Sequence, residues 1–136
     1  MSNDPLPVAI DIVREDDIII ARQRGRDMSR DLGFGMVDQS RIATAISELA
    51  RNILRYATTG TTILRPVERG GRRGIEVVCQ DQGPGIADVQ AALTQGVTTG
   101  KGLGIGLPGT QRLMDEMEIE SVPGQGTTVI IRKWLR

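Results

Sequence analysis

Glu48 and Asn52 lie four residues apart in a segment whose apolar residues repeat at helical spacing. That separation places both side chains on one face of a helix, one turn apart. Ile42, Ala45, Ile46, Leu49, Ile53 and Tyr56 form the apolar stripe; Asn52 borders it, with Glu48 slightly further round. A carboxylate and an amide at the edge of a buried face can hold Mg²⁺ and accept a proton. The same spacing also fits a solvated helix face on which Glu48 pairs with Arg51 or Arg55, a common surface arrangement.

Three glycine-bearing segments follow. Asp81-Gln82-Gly83-Pro84-Gly85-Ile86 comes directly after the strand-like run Ile75–Cys79. An acidic residue at a strand end can accept a hydrogen bond from an exocyclic amine, and glycines let the backbone pass close to a flat ligand. Gly-Pro-Gly is also strong turn chemistry by itself. Gly102-Leu103-Gly104-Ile105-Gly106 leads into Leu107-Pro108-Gly109. Closely spaced glycines before a helix expose backbone N–H groups to an anion, with the helix dipole favouring phosphate. Lys101 stands beside this loop, either as a phosphate contact or as an ordinary solvated lysine. Gly104–Gly109 matches G-x-G-x-x-G, but the polar Thr98-Thr99-Gly100-Lys101 precedes it where a dinucleotide-binding site requires a strand. Nor does a Gly-Lys-Ser/Thr close the run as in a P-loop. The last segment, Gly124-Gln125-Gly126-Thr127, reads as a hairpin turn.

Composition narrows the chemistry further. The chain contains no histidine, which excludes Ser-His-Asp and Cys-His catalysis and histidine-ligated zinc on this chain. Its single cysteine, Cys79, cannot form an internal disulfide, which fits a reducing, cytoplasmic setting. Aromatic residues make up only 2%, too few for a base-stacking nucleic-acid surface. With 17 basic and 17 acidic residues, no global field favours nucleic acid or a membrane surface. No apolar run is long enough for a spanning helix, and the N-terminus lacks the features of a signal peptide.

The 136 residues suggest one domain, 1–136. Met1–Pro7 reads as a disordered lead, Val8–Val13 as a strand, and the acidic Glu15-Asp16-Asp17 as the start of a helix running to Leu32, closed by Gly33. Asp38 is the expected N-cap of the next helix, Gln39–Ala57. Thr61–Val67 and Gly74–Gln80 are expected strands joined by a loop over Glu68–Arg73. A short helix over Ala87–Gln95 and another from Leu107 to Asp115 or Met117 follow. Ile119–Val122 and Thr127–Lys133 form the final hairpin. The expected architecture is a two-layer α/β sandwich, with three main helices on one face of a mixed, mostly antiparallel sheet.

The order of these motifs is more specific than any one of them. Glu-x-x-x-Asn on a helix comes first, then Asp-x-Gly-x-Gly after a strand. A glycine-rich helix start and Gly-x-Gly-Thr before the last strand complete the series. The chain thereby resembles the Bergerat-fold (GHKL) ATP-binding superfamily of gyrase, the heat-shock chaperone, histidine kinases and MutL over Glu48–Thr127. The resemblance implies that Asn52 holds Mg²⁺ bridging the ATP phosphates and that Glu48 is the general base. It implies that Asp81 recognises the adenine amino group, that Gly83, Gly85 and Ile86 shape the adenine pocket, and that Thr127 supports it. Gly102, Leu103, Gly104, Ile105 and Gly106, with Lys101 beside them, then serve the phosphates, and 86–101 corresponds to the ATP lid.

Within the superfamily, the chain is most similar to the small, free-standing serine kinases that act by partner switching. Asp38-Gln39-Ser40-Arg41-Ile42-Ala43-Thr44-Ala45-Ile46-Ser47-Glu48-Leu49-Ala50-Arg51-Asn52, Gly104–Gly109 and Arg112–Glu116 resemble the stressosome kinases more than the anti-sigma kinases. This implies a kinase acting on STAS-domain partners, an RsbS-like substrate and an RsbR-like scaffold, that on release activates an RsbU-like PP2C-type phosphatase. The alternative is a nucleotide-binding partner switch or anti-sigma-type binding protein with little kinase activity. Arg22, Arg24, Arg26 and Arg30 could face a partner, although a solvated helix face is the simpler reading.

Overall fold

Alternating side chains along β3 (Arg72–Asp81) place Ile75, Val77 and Cys79 on the opposite face from Glu76, Val78 and Gln80. This strand is the centre of a five-stranded sheet in a computed structural model that describes residues 4–83 and 106–136. The other strands are β1 (Val8–Ile12), β2 (Gly60–Arg69), β4 (Glu116–Val122) and β5 (Gly126–Trp134), in the spatial order β1-β2-β3-β5-β4. Every pairing among these strands is antiparallel.

Helices α1 (Glu15–Leu32), α2 (Met36–Tyr56) and α3 (Gly106–Leu113) complete the two-layer α/β sandwich expected from the sequence. Asp17 accepts backbone hydrogen bonds from Val13 at 2.9 Å and Arg14 at 3.1 Å, closing the first turn of α1. Those two N–H donors hold its carboxyl below the ordinary value. Gly33 ends α1 in the left-handed region at φ 105°, as anticipated. The α2 stripe of Ile42, Ala45, Ile46, Leu49 and Ile53 packs in one core with Ile12, Leu64, Val77 and Ile131. Tyr56, the last residue of the expected stripe, is only half-buried.

The other face of the sheet carries charge. Glu76 is held by Arg65 Nε at 2.6 Å and by Arg132 Nε at 2.7 Å, with only 5% of its side chain exposed. Burial pushes the Glu76 carboxyl up, but the two arginine hydrogen bonds and their charges outweigh it, leaving it below the usual carboxylate range. Arg132 also reaches Glu116 at 3.1 Å and Glu118, while Arg69 and the Trp134 indole N–H both donate to Glu116.

Several boundaries differ from the sequence expectation. The α2 helix begins at Met36, with Gly35 as its N-cap and no capping side chain. Asp38 lies within the first turn instead, 3.1 Å from Arg41 and 3.8 Å from the buried Lys133. The β2–β3 loop shrinks to Gly70-Gly71, at φ 58° and 78°, because two successive glycines permit the two-residue hairpin turn that matches strand twist. Helix α3 stops at Leu113, and Glu116 and Met117 begin β4. There Glu116, Glu118 and Glu120 line the charged face while Met117 and Ile119 pack toward the helices. The helix expected over Ala87–Gln95 lies outside the described residues.

Candidate functional site

The α2 stripe packs in the core with the sheet, and the last residues of the helix reach the strand ends at Gly60 and Gly83. Glu48 is buried, with 8% of its surface exposed, which is deeper than the edge position the helical spacing implies. Its Oε1 accepts a hydrogen bond from Arg51 Nη1 at 3.0 Å. One of the two arginine pairings open from sequence is therefore present, although it lies on a largely buried turn and not on a solvated face. Asn52, one turn beyond Glu48, is half-buried.

Past Asn52, the helix leans on the strand ends. A Cβ on Gly60, the first residue of β2, would stand 2.8 Å from Ile53 Cγ2. A Cβ on Gly83 would stand 2.6 Å from Ala57 Cβ and 3.1 Å from the Tyr56 carbonyl. Only glycine permits these approaches, which press the C-terminal end of α2 against the exit of β3.

Asp81 ends β3, paired with Gly60 on one side and Thr127 on the other. Its Oδ1 accepts the Gly83 N–H at 2.9 Å, which bends the chain tightly after the strand. Thr127 Oγ1 lies 2.9 Å from Ser121 Oγ on the neighbouring strand. Gly126 adopts φ 122°, and its α-carbon faces the Asp81 carbonyl so closely that a Cβ would collide with it. Gly106 opens α3 at φ 69°, and its carbonyl accepts the hydroxyl of buried Thr110 at 3.0 Å. At the other end of α3, Lys133 Nζ donates to the Leu113 carbonyl at 2.9 Å.

Asp81, Gly83, Thr127 and the end of α2 that carries Asn52 thus converge at one end of the sheet. Gly85, Ile86, Lys101, Gly102, Leu103, Gly104 and Ile105 lie outside the described residues. Cys79 is buried, and burial pushes its thiol up to about 12, even with Thr62 Oγ1 at 3.4 Å. Of the α1 arginines, Arg22 and Arg24 are exposed, Arg26 reaches Ser40 Oγ, and Arg30 pairs with Asp27 and Asp31.

Two contributors were not evident from the sequence. Lys133 falls on the inward register of β5, which is legible from alternation, but its partners are a carbonyl and two carboxylates distant in sequence. Thr110 follows Gly106 by one helical turn, a spacing that allows a hydroxyl to bond back to the preceding turn's carbonyl.

The arrangement offers a buried carboxylate to take a proton, an amide oxygen one turn away and a carboxylate at a strand end to recognise an amine. Among the described residues, no helix is long and apolar enough to cross a membrane.

Comparison with known proteins agrees with this fold. The chain is 51% identical to the serine/threonine-protein kinase RsbT of Bacillus subtilis (strain 168) over 125 residues, covering 92% of this chain and 94% of that protein. It is 34% identical to the anti-sigma F factor of Thermoanaerobacter sp. (strain X514), over 69% of this chain and 68% of that protein. The mycobacterial sensor histidine kinase MprB shares the fold at a TM-score of 0.56 and 17% identity, covering 94% of this chain and 95% of that one. Residues 37–136 match the model of the histidine kinase-, DNA gyrase B- and HSP90-like ATPases, and the chain belongs to that family.

Proposed function

We propose that this protein is an ATP- and Mg²⁺-dependent protein serine/threonine kinase whose substrates are STAS-domain partners. The observation that carries the reading is the buried Glu48 carboxylate, held by Arg51 and one turn before Asn52, on the helix whose end packs against Gly83, two residues past Asp81. The relation to RsbT, at 51% identity over nearly the whole chain, supports the kinase assignment over a purely nucleotide-binding role.

Asp81 has one carboxylate oxygen committed to the Gly83 N–H, leaving the other for the exocyclic amine of adenine. Asn52 would supply an amide oxygen to Mg²⁺. Among the described residues, no group of three or more acidic, histidine or cysteine side chains could cage a metal. A single amide oxygen suits Mg²⁺, which is usually completed by substrate phosphates and water. Held by Asn52, the ion would supply charge neutralisation at the phosphates. Glu48 then accepts the hydroxyl proton of the substrate serine or threonine as its oxygen attacks the γ-phosphorus. The bond from that phosphorus to the β–γ bridging oxygen breaks, and ADP leaves.

In this reading the substrate is an RsbS-like STAS protein and an RsbR-like scaffold holds the kinase. Once released, the protein activates an RsbU-like PP2C-type phosphatase in a cytoplasmic partner-switching pathway. Incubation with γ-labelled ATP, Mg²⁺ and a purified STAS protein tests the proposal, with mass spectrometry locating the label. Phosphate on a serine or threonine of the STAS protein is expected. Normal ATP binding with no transfer to any candidate STAS protein would instead leave a nucleotide-binding switch.

A further inference from the structure

Arg51 stands beside the proposed base without being part of the nucleotide set, and the geometry points to it as the positioning residue for Glu48. This inference rests on the kinase reading above. Removing a carboxylate from water is costly unless a charged hydrogen-bond donor accompanies it. Glu48 is 8% exposed, and among the described residues its ion pair is with Arg51, three residues along the same helix. Arg51 keeps 37% of its side chain exposed, so it stays partly hydrated while Nη1 engages the carboxylate at 3.0 Å.

Two consequences follow from that single bond. First, donation to Oε1 fixes the orientation of the carboxylate and leaves Oε2 to receive the substrate's proton. Second, a carboxylate working beside a triphosphate faces another anion, and like charges in a partly dry site repel strongly. A guanidinium on the same turn offsets that repulsion without giving up a proton of its own. Arg51 therefore acts through Glu48 on the transfer step more than on ATP binding.

The test compares steady-state phosphoryl transfer, nucleotide affinity and thermal melting for wild type, Arg51→Ala, Arg51→Lys, Glu48→Gln and the Arg51→Ala/Glu48→Gln double variant. Arg51→Ala should lower kcat at least about tenfold while leaving KM for ATP within about twofold. Arg51→Lys should recover part of the loss, because it restores the charge without the planar fork. In the Glu48→Gln background, Arg51→Ala should cost nothing further. The ¹⁵N side-chain signal of Arg51 in nucleotide-free protein should also shift on Glu48→Gln. Wild-type kcat in Arg51→Ala would overturn the inference while leaving the kinase reading intact. So would a loss seen only as weaker ATP binding or lower melting temperature, a full additional loss in the double variant, or an unmoved Arg51 signal. If the wild type transfers no phosphate, the kinase reading fails, and the inference with it.

Discussion

Asp81 and Thr127 face each other across the β3–β5 ladder, and Gly126, beside Thr127, lets the two strands close against the Asp81 backbone. The candidate adenine site is therefore built at a strand end, with main chain packed tightly behind it. A side chain at such a position is held by its neighbours and has little freedom to swing away from a ligand.

Asp81→Asn isolates the recognition role. Asparagine keeps an oxygen to accept the Gly83 N–H, so the turn should survive. Its remaining group becomes an NH₂ donor facing the adenine amino donor. ATP affinity should fall by about tenfold to a hundredfold, the worth of a hydrogen bond to a charged group. Calorimetric titration measures this, and undiminished affinity would contradict the assignment of Asp81.

Asn52→Ala should separate Mg·ATP from metal-free ATP. Affinity measured with Mg²⁺ present should drop about tenfold or more, while affinity measured in chelator should change little. If Asn52→Ala and Asn52→Asp both bind Mg·ATP like the wild type, the metal role assigned to Asn52 is wrong.

Gly126→Ala combines a positive-φ penalty with a collision against the Asp81 carbonyl and a 2.8 Å approach to Gln82 Cα. It should cost about 1–3 kcal/mol in chemical denaturation and weaken nucleotide binding as well. Gly124, at φ 80°, has nothing within 4 Å of a Cβ, so Gly124→Ala should cost only its backbone strain and spare affinity. Equal nucleotide affinity in the two variants would count against the close packing behind Asp81.

The face of the sheet away from the helices should make stability depend on acidity. The Glu76 carboxyl lies below its ordinary 4.5 in the folded protein. Its contribution is therefore complete above that value and lost as pH falls through the folded pKa. Glu76→Gln should destabilise the protein at pH 7 by about 1–3 kcal/mol, below the range for a fully buried pair because Arg65 is half solvated. Denaturation midpoints measured from pH 7 to pH 3 should fall less steeply for the variant. A parallel pH profile would show that the Arg65–Glu76–Arg132 cluster contributes no pH-linked stability.

Local periodicity made most of this architecture readable. The α2 stripe, the Gly33 cap and the acidic start of α1 each follow from spacing within a few residues, and the structure contains all three. Partners distant in sequence were harder to read. Asp38 looked like an N-cap because its type suits one, but in the fold its carboxylate is engaged by Arg41 and approached by Lys133 from the far end of the chain. Met36 and Val37 remain exposed in the first turn of α2, so no apolar periodicity marked where that helix begins. At the site, the one-turn relation of Glu48 and Asn52 was evident from spacing, but the depth of Glu48 was not. Burial depends on what lies opposite the helix, which helical spacing alone does not reveal.

The central claim is that Glu48 accepts the proton of an attacking hydroxyl. Its most direct test is transfer of labelled γ-phosphate to a purified STAS protein by the wild type and by Glu48→Gln, with ATP affinity measured in parallel. The wild type should transfer phosphate. Glu48→Gln should lose about a hundredfold or more, with ATP affinity little changed, as expected for removal of a general base. Equal transfer rates for the two proteins, or no transfer by a wild type that binds ATP, would rule out that role for Glu48.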